Sequence, residues 1–228
     1  MMKELSQRID FHIHTTASDG KLLPAAIAYE AAAKGHAAIA ITDHVDASNL
    51  EEVTLSIVKF VKDQQASLPL TVIPGVELSY LDPKLFEEYA RRAKELGAKI
   101  VIVHGETLAE PAVPKGTNRA ALKLKGLVDI LAHPGRLTEE EAILAKVNDI
   151  YLELSAKEGH SRGNRHVAKL ARQFKAKLLV NTDSHSEKDL ITQKEAYLIA
   201  KKAGLSKLEA IKALRDNPQE LLKKIGSR

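Results

Sequence analysis

Seven short apolar runs, separated by longer amphipathic stretches, limit this chain's fold more than any other feature. They cover residues 9–13, 37–42, 70–73, 99–103, 128–132, 150–154 and 177–180. Most are continuous rather than alternating, and several are rich in β-branched residues, as expected for parallel strands buried on both faces. Helical patterns with readable ends lie between them. One runs over 22–34, with Pro24 near its start and Gly35 as its stop. Asp82 with Pro83 opens another that Gly97 closes. Thr138 with Glu141, and Ser206 with Glu209, have capping-box spacing, and Asn217-Pro218 opens a last short helix. Longer helical patterns cover 49–67, 164–175 and 187–203. Strands recur every roughly 20–40 residues, the scale of a βα unit, so the class is α/β. A barrel and an open doubly wound sheet both satisfy this order.

A chain of 228 residues that is 44% hydrophobic can bury one sizeable core. We expect a single domain over 1–228, with helices of about 187–226 packed on it. No apolar run approaches the roughly 18–20 residues that cross a bilayer. Lys3, Glu4, Arg8 and Asp10 interrupt the amino-terminal stretch, so no signal peptide is expected and the cytoplasm is the expected location. The absence of cysteine excludes disulfides, thiolate nucleophiles and Cys-rich metal sites. A net charge of +4, 4% aromatics and no Trp give no strong nucleic-acid signal and no membrane signal. The Lys/Arg-rich stretch over 188–228 reads as solvated helix faces. The Pro- and Gly-rich segment 105–117 reads as a functional loop.

The apolar runs end in residues that bind metals. His12 and His14 close the first, Asp43-His44 the second, and Glu77 follows the third. His104 and His133 close the fourth and fifth, Glu153 ends the sixth, and Asp183-Ser184-His185 follows the seventh. In α/β barrels, reactive groups converge at the carboxyl ends of the strands. His12/His14 and Asp183/His185 have i, i+2 spacing, which turns both members to one face of a strand. With Asp19 from the loop after the first run, nine groups could meet at one mouth. One ion takes about four to six ligands, so nine suffice for two or three ions. Burying that many polar groups without partners would cost several kcal/mol. His36 precedes a strand and is expected at the opposite, exposed end. His166 reads as a structural residue of a helix. His160 can reach the mouth, and Glu153 is either an interior group or the partner of a ligand.

His12-Ile13-His14-Thr15, Ser18-Asp19-Gly20, Thr42-Asp43-His44, Glu77, His104, His133 and Thr182-Asp183-Ser184-His185 together resemble the PHP (polymerase and histidinol phosphatase) metallophosphoesterases. The resemblance runs over residues 8–215, and its motifs keep the family order. It implies a distorted seven-stranded (βα)7 barrel of the PHP type, similar to stand-alone histidinol-phosphatase-like members. It also implies two or three divalent ions (Zn, Mn or Fe). The first would be held by His12, His14, Glu77 and Asp183, the second by Glu77, His104 and His133, and the third by Asp19, His44 and His185. Some members carry a His where this chain has Asp19.

The implied activity is hydrolysis of a small phosphomonoester, histidinol-phosphate-like, by a hydroxide shared between two ions. His185 and Asp43 are candidates to orient the phosphate or protonate the leaving group, and Asp43 is better placed as the partner of a ligand imidazole. Arg119, Arg136 and Arg162 follow strands four, five and six and are candidate phosphate-binding groups with His160; Arg162 is also a catalytic candidate. Lys157 and Arg165 are weaker candidates. Three other functions fit less well. A phosphodiesterase, nucleotidase or 3′ exonuclease uses the same ions. An amidohydrolase-type enzyme also opens on His-X-His, but usually has an eighth strand. A degenerate domain that binds metal only for structure should lack ligands, and this chain lacks none.

Overall fold

Parallel pairing runs around the chain strand by strand. A computed structural model describes residues 7–226; Lys3 and Glu4 of the charged amino-terminal stretch lie outside the described residues. Seven strands follow one another as β1 (Arg8–Ile13), β2 (His36–Ile41), β4 (Thr71–Leu78), β5 (Ile100–His104), β6 (Ile130–Ala132), β7 (Tyr151–Ser155) and β8 (Leu178–Asn181). A two-residue strand, β3 (His44–Val45), continues the path of β2 and sets His44 opposite Glu77 on β4. Helices α1 (Pro24–Ala33), α2 (Leu50–Gln64), α3 (Phe86–Glu95), α4 (Thr117–Ala121), α5 (Glu139–Asn148) and α6 (Asn164–Phe174) connect the strands. Helices α7 (Gln193–Lys202), α8 (Lys207–Ile211) and α9 (Asn217–Gly226) follow the last strand.

The result is a nearly closed (βα)7 barrel. Its seam lies between β8 and β1, where side chains do much of the work of a backbone ladder. Asn181 Oδ1 accepts from the Phe11 amide at 3.1 Å, Asp10 Oδ1 accepts from the Thr182 amide at 3.2 Å, and Arg8 donates to the Val180 carbonyl at 3.1 Å. The ladder resumes only at the mouth, where the His14 amide donates to the Ser184 carbonyl at 2.8 Å.

Strand parity layers the interior. Ile100 and Ile102 on β5, Ile73 on β4, Ile130 on β6, Tyr151 on β7 and Leu179 on β8 pack with Phe11 as an apolar middle layer. Leu221 and Ile225 of α9 join this cluster. Each fully buried aliphatic side chain contributes about 1.5–3 kcal/mol. Continuing each strand by two residues on the same face reaches His104, Ala132, Glu153 and Asn181, and by four on β4 reaches Glu77. The barrel is therefore apolar through its middle and polar at its carboxyl-end mouth. On β1 a register shift falls between Asp10 and Ile13. It turns His12 and His14 to the side that Ile9 and Phe11 occupy lower down, the usual effect of a bulge.

The capping boxes at Thr138 and Ser206 are present, and Thr192 with Glu195 adds a third. Three expectations change. The third run does not stop at Ile73 but continues through Pro74-Gly75, so Glu77 lies within β4. The pattern over 187–203 yields a helix only from Gln193, because 187–192 forms the loop behind His185. His36 is not exposed: it is buried at the foot of β2, where Nδ1 meets the Ala31 carbonyl at 2.9 Å and Nε2 lies 3.9 Å from Asp10. Among the described residues, no helix is long and apolar enough to cross a membrane.

Candidate metal centre

Imidazoles and carboxylates from seven parts of the chain meet at the mouth. His12 Nε2 lies 3.3 Å from Glu77 Oε1 and 3.8 Å from Asp183 Oδ1. His14 Nε2 lies 3.2 Å from Asp183 Oδ1 and 3.6 Å from Glu77 Oε2. His133 Nε2 is 3.8 Å from both Glu77 and Asp183. Nearer the surface, Asp19 Oδ2 lies 3.1 Å from His185 Nε2 and 3.8 Å from His44 Nε2. Four overlapping groups offer ligand atoms within 4.8 Å of one another: His12-His14-Glu77, His12-His133-Asp183, His104-His133-His160, and His14-Asp19-His44-His185.

The local backbone is built for this convergence. His133 and Asp183 both adopt positive φ, 31° and 54°, in the left-handed region that side chains rarely occupy. Such strain persists only where the surroundings over-determine it, and it clusters at functional sites. Here it turns each side chain inward just as its strand ends. Glu153 fixes one imidazole from below: its Oε2 accepts from His12 Nδ1 at 2.8 Å and from Asn181 Nδ2 at 3.1 Å, leaving His12 Nε2 aimed at the cluster. His44 Nδ1 is likewise taken by Glu77 Oε2 at 2.8 Å and Ser79 Oγ at 2.6 Å, which turns Nε2 toward Asp19.

The polar atoms of the centre suit it to cations. His12 Nε2, both nitrogens of His14 and His133, His104 Nδ1 and Glu77 Oε1 are buried without a hydrogen-bond partner. Native proteins seldom leave such atoms unpaired, and a divalent ion satisfies several at once. The charge states agree for most of the set. Burial raises Glu77 and Asp183, but the surrounding imidazoles outweigh it and hold both acids well below the ordinary carboxylate range. Burial holds His133 well below its ordinary value, and the adjacent His104 and His160 push it further. Burial, with His44 and His12 nearby, brings His14 down to about 4. These are the deprotonated forms that ligate metals. His12, His44 and His104 differ: burial lowers each, but neighbouring carboxylates outweigh it, Glu77, Glu153 and Asp183 raising His12 well above the ordinary value, Glu77 and Asp19 raising His44, and Glu110 and Glu77 raising His104, so ions would have to displace their protons.

The remaining sequence candidates divide. His160 is buried at the mouth, 3.7 Å from Asp183. Asp43 does not hold an imidazole. Its carboxylate is spent on the loop that carries Asp19, accepting from the Thr15 amide at 2.7 Å, Thr15 Oγ1 at 2.7 Å and Ser18 Oγ at 2.6 Å. The partner role expected of Asp43 belongs to Glu153. Arg119 is exposed on α4 and pairs with Glu140 at 2.6 Å, and Arg136 and Arg162 are exposed; none of the three lines the cleft. The cation that does line it is Lys157, whose Nζ lies 2.9 Å from His185 Nδ1 and 3.4 Å from Asp183 Oδ1. Two residues at the mouth were not foreseen. Glu110, from the loop after β5, lies 3.3 Å from His104 Nε2 and 3.2 Å from His160 Nε2, and Tyr80 donates to it at 2.6 Å. The Pro and Gly content of that loop marks it as functional, but nothing in its composition says which side chain turns inward. The cleft above the cluster measures about 350 Å³.

Comparison with known proteins agrees with this architecture. The pattern described as the PHP domain matches residues 10–206. An uncharacterized protein of Methanocaldococcus jannaschii is 43% identical over 220 residues, which make up 96% of this chain and 100% of that protein. Ribonuclease P protein component 3 of Methanosarcina barkeri is 27% identical over 93% of this chain and 87% of its own length. Among solved structures, a chain in the cryo-EM structure of archaeal ribonuclease P with mature tRNA superposes with a TM-score of 0.68. It covers 96% of this chain and 90% of that chain at 20% identity, so the likeness is one of fold.

Proposed function

The chain belongs to the PHP-domain family of metal-dependent hydrolases, and from that premise we propose that it hydrolyses a phosphate ester, specifically a small phosphomonoester of the histidinol-phosphate kind. The observation that carries the reading is the set of orphaned ligand atoms beneath an open cleft at the carboxyl ends of the strands. His12, His14, Glu77 and Asp183 would hold one divalent ion, Glu77, His104 and His133 a second, and Asp19, His44 and His185 a third. When bound, such ions supply charge for the phosphoryl oxygens and lower the pKa of water toward neutrality.

The chain's own residues supply position and charge. Lys157 is the side-chain cation at the cleft and takes the phosphate-gripping role expected of the arginines, with its ammonium held over His185 and Asp183. His185, 17% exposed, is placed to meet the leaving oxygen. Asp43 acts at one remove: by tying Thr15 to Ser18 it sets the loop from which Asp19 faces His44 and His185. A cleft of about 350 Å³ lies at the small end of the range for ligand pockets and suits a compact ester better than a polymer.

A second reading has one observation in its favour. The relative in Methanosarcina barkeri is named as a ribonuclease P protein component, which raises a nucleotide or an RNA end as the carrier of the phosphate. One panel separates the two. Chelator-stripped protein, reloaded with Zn²⁺ or Mn²⁺, is assayed on p-nitrophenyl phosphate, histidinol phosphate, bis-p-nitrophenyl phosphate, nucleoside monophosphates and a short RNA. Metal-dependent turnover of p-nitrophenyl phosphate and histidinol phosphate supports the first reading, and turnover confined to the nucleoside monophosphates, the diester and RNA supports the second. Undiminished turnover in protein shown to be metal-free would overturn both.

A further inference from the structure

We propose that His160 and Glu110 are metal ligands, adding to the ion assigned above to Glu77, His104 and His133 two donors that the family motifs do not include. The inference rests on the metal-dependent reading above. The three imidazoles offer nitrogens within 4.8 Å of one another. His133 has both ring nitrogens buried and unpartnered, and His104 has Nδ1 so. The His133 and His160 rings stack with centroids 4.0 Å apart, and the His104 ring meets the His133 ring edge-on at 4.5 Å. Glu110 adds a carboxylate within 3.3 Å of His104 Nε2 and 3.2 Å of His160 Nε2.

His160 is held as ligand imidazoles are held. Its Nδ1 is engaged by Thr107 Oγ1 at 2.8 Å, which leaves Nε2 for the cluster. The loops around it are packed for close approach. A Cβ on Gly163 would lie 2.6 Å from the Gly135 Cα, a distance real side chains do not reach. A Cβ on Gly135 would meet the Leu108 amide nitrogen at 3.3 Å. Glycine at 135 and 163 thus lets the loops after β5, β6 and β7 touch, and that contact lays His160 against His133. A phosphate-binding His on a surface loop would need none of this. Three imidazoles with the carboxylates of Glu77 and Glu110 make a nitrogen-rich donor set that suits Zn²⁺ over Mg²⁺.

The test reads metal rather than turnover. Wild-type, Glu110→Gln and His160→Ala proteins are stripped, and Zn²⁺ binding is measured by competition with a chromophoric chelator. Co²⁺ absorption spectra of the same proteins report on ligand identity. Glu110 is more than a third exposed on a loop, so its substitution leaves folding intact, and thermal unfolding of the stripped proteins controls for His160. We expect one ion to bind at least about tenfold more weakly in each variant, with an altered Co²⁺ spectrum and the remaining ions retained. Zn²⁺ affinities and Co²⁺ spectra unchanged in both variants would overturn the proposal, even if metal-dependent ester hydrolysis persists. Loss of one ion from a protein that hydrolyses no ester would uphold it and sink the functional reading instead.

Discussion

Removing Glu153 tests whether the floor of the mouth exists to orient a metal ligand. The residue is fully buried, and one oxygen serves both His12 Nδ1 at 2.8 Å and Asn181 Nδ2 at 3.1 Å. Glu153→Ala leaves two buried donors without an acceptor, at about 1–3 kcal/mol each. It also frees His12 to rotate. Loss of such an outer partner weakens metal binding by about 10–100-fold, which corresponds to about 1.4–2.8 kcal/mol at 1.4 kcal/mol per decade. Glu153→Gln keeps an oxygen for both donors but is the weaker acceptor, so it should retain most of the stability and lose only part of the affinity. Zn²⁺ titration of stripped protein measures affinity, and thermal unfolding of the same samples measures stability. Should the alanine variant bind every ion within twofold of wild type, His12 needs no orienting partner and the geometric account of the centre is wrong.

Further outcomes follow from the same contacts. Asp43→Ala should loosen the Thr15–Ser18 loop, destabilise the protein by about 1–3 kcal/mol and weaken the ion nearest Asp19 while sparing those deeper in; chelator competition reads both. At the foot of the barrel, burial raises Asp10, but the Arg8 guanidinium 2.7 Å away and nearby His36 outweigh it, holding the carboxyl well below the ordinary range. A depressed folded value means its stabilisation is complete above the ordinary aspartate pKa of about 3.9. It is then lost progressively as the pH falls below that toward the depressed folded value. Asp10→Asn leaves Arg8 buried without its carboxylate and should cost about 3–5 kcal/mol at neutral pH. The gap to wild type should narrow in unfolding curves taken below about pH 4; a gap that stays constant down to pH 2 would refute the pairing. Lys157→Met should raise KM for a phosphomonoester more than it changes Zn²⁺ affinity, since its ammonium faces the cleft without being a ligand.

The strands and the metal-type residues were legible in the sequence because both depend on local pattern. A continuous β-branched run marks a strand buried on both faces, and parity from its apolar residues predicts which neighbour reaches the mouth. That logic carries Ile100 and Ile102 to His104, and Tyr151 to Glu153. It fails on β1, where the register shift after Asp10 reverses the face of His12 and His14, and bulges leave no mark in composition. It fails again for Asp43, which abuts His44 in sequence while its carboxylate turns away to Thr15. The arginines were placed correctly after their strands, but a side chain's direction in a loop depends on packing from other loops. Lys157 faces inward and Arg162 outward from the same connection. Glu110 was hidden for the same reason: it enters from residues 105–116, whose path is set by contacts with Gly135 and by the Tyr80 hydroxyl.

The mouth also bears on how this barrel is stabilised. An apolar middle layer repays its conformational cost directly, whereas a ring of buried imidazole nitrogens and carboxylate oxygens without partners subtracts from stability. A chain that retains so many of them needs something to bind the folded state and not the unfolded one, and ions do so by RT ln(1 + [L]/Kd). With free Zn²⁺ at a hundred times Kd, one site contributes about 2.7 kcal/mol. For a chain of 228 residues, each kcal/mol moves the midpoint by about 2–4 °C, so one such site raises Tm by roughly 5–11 °C. The increase should grow with free metal concentration rather than saturate once stoichiometry is reached, because the linkage is logarithmic. It should shrink in His12→Ala, which belongs to two of the four ligand groups, more than in His185→Ala, which belongs to one. Differential scanning fluorimetry across a Zn²⁺ series measures both. Shifts in both variants equal to that of the wild type would show that the buried groups are not coupled to the ions, and that the barrel tolerates its polar mouth by some other means.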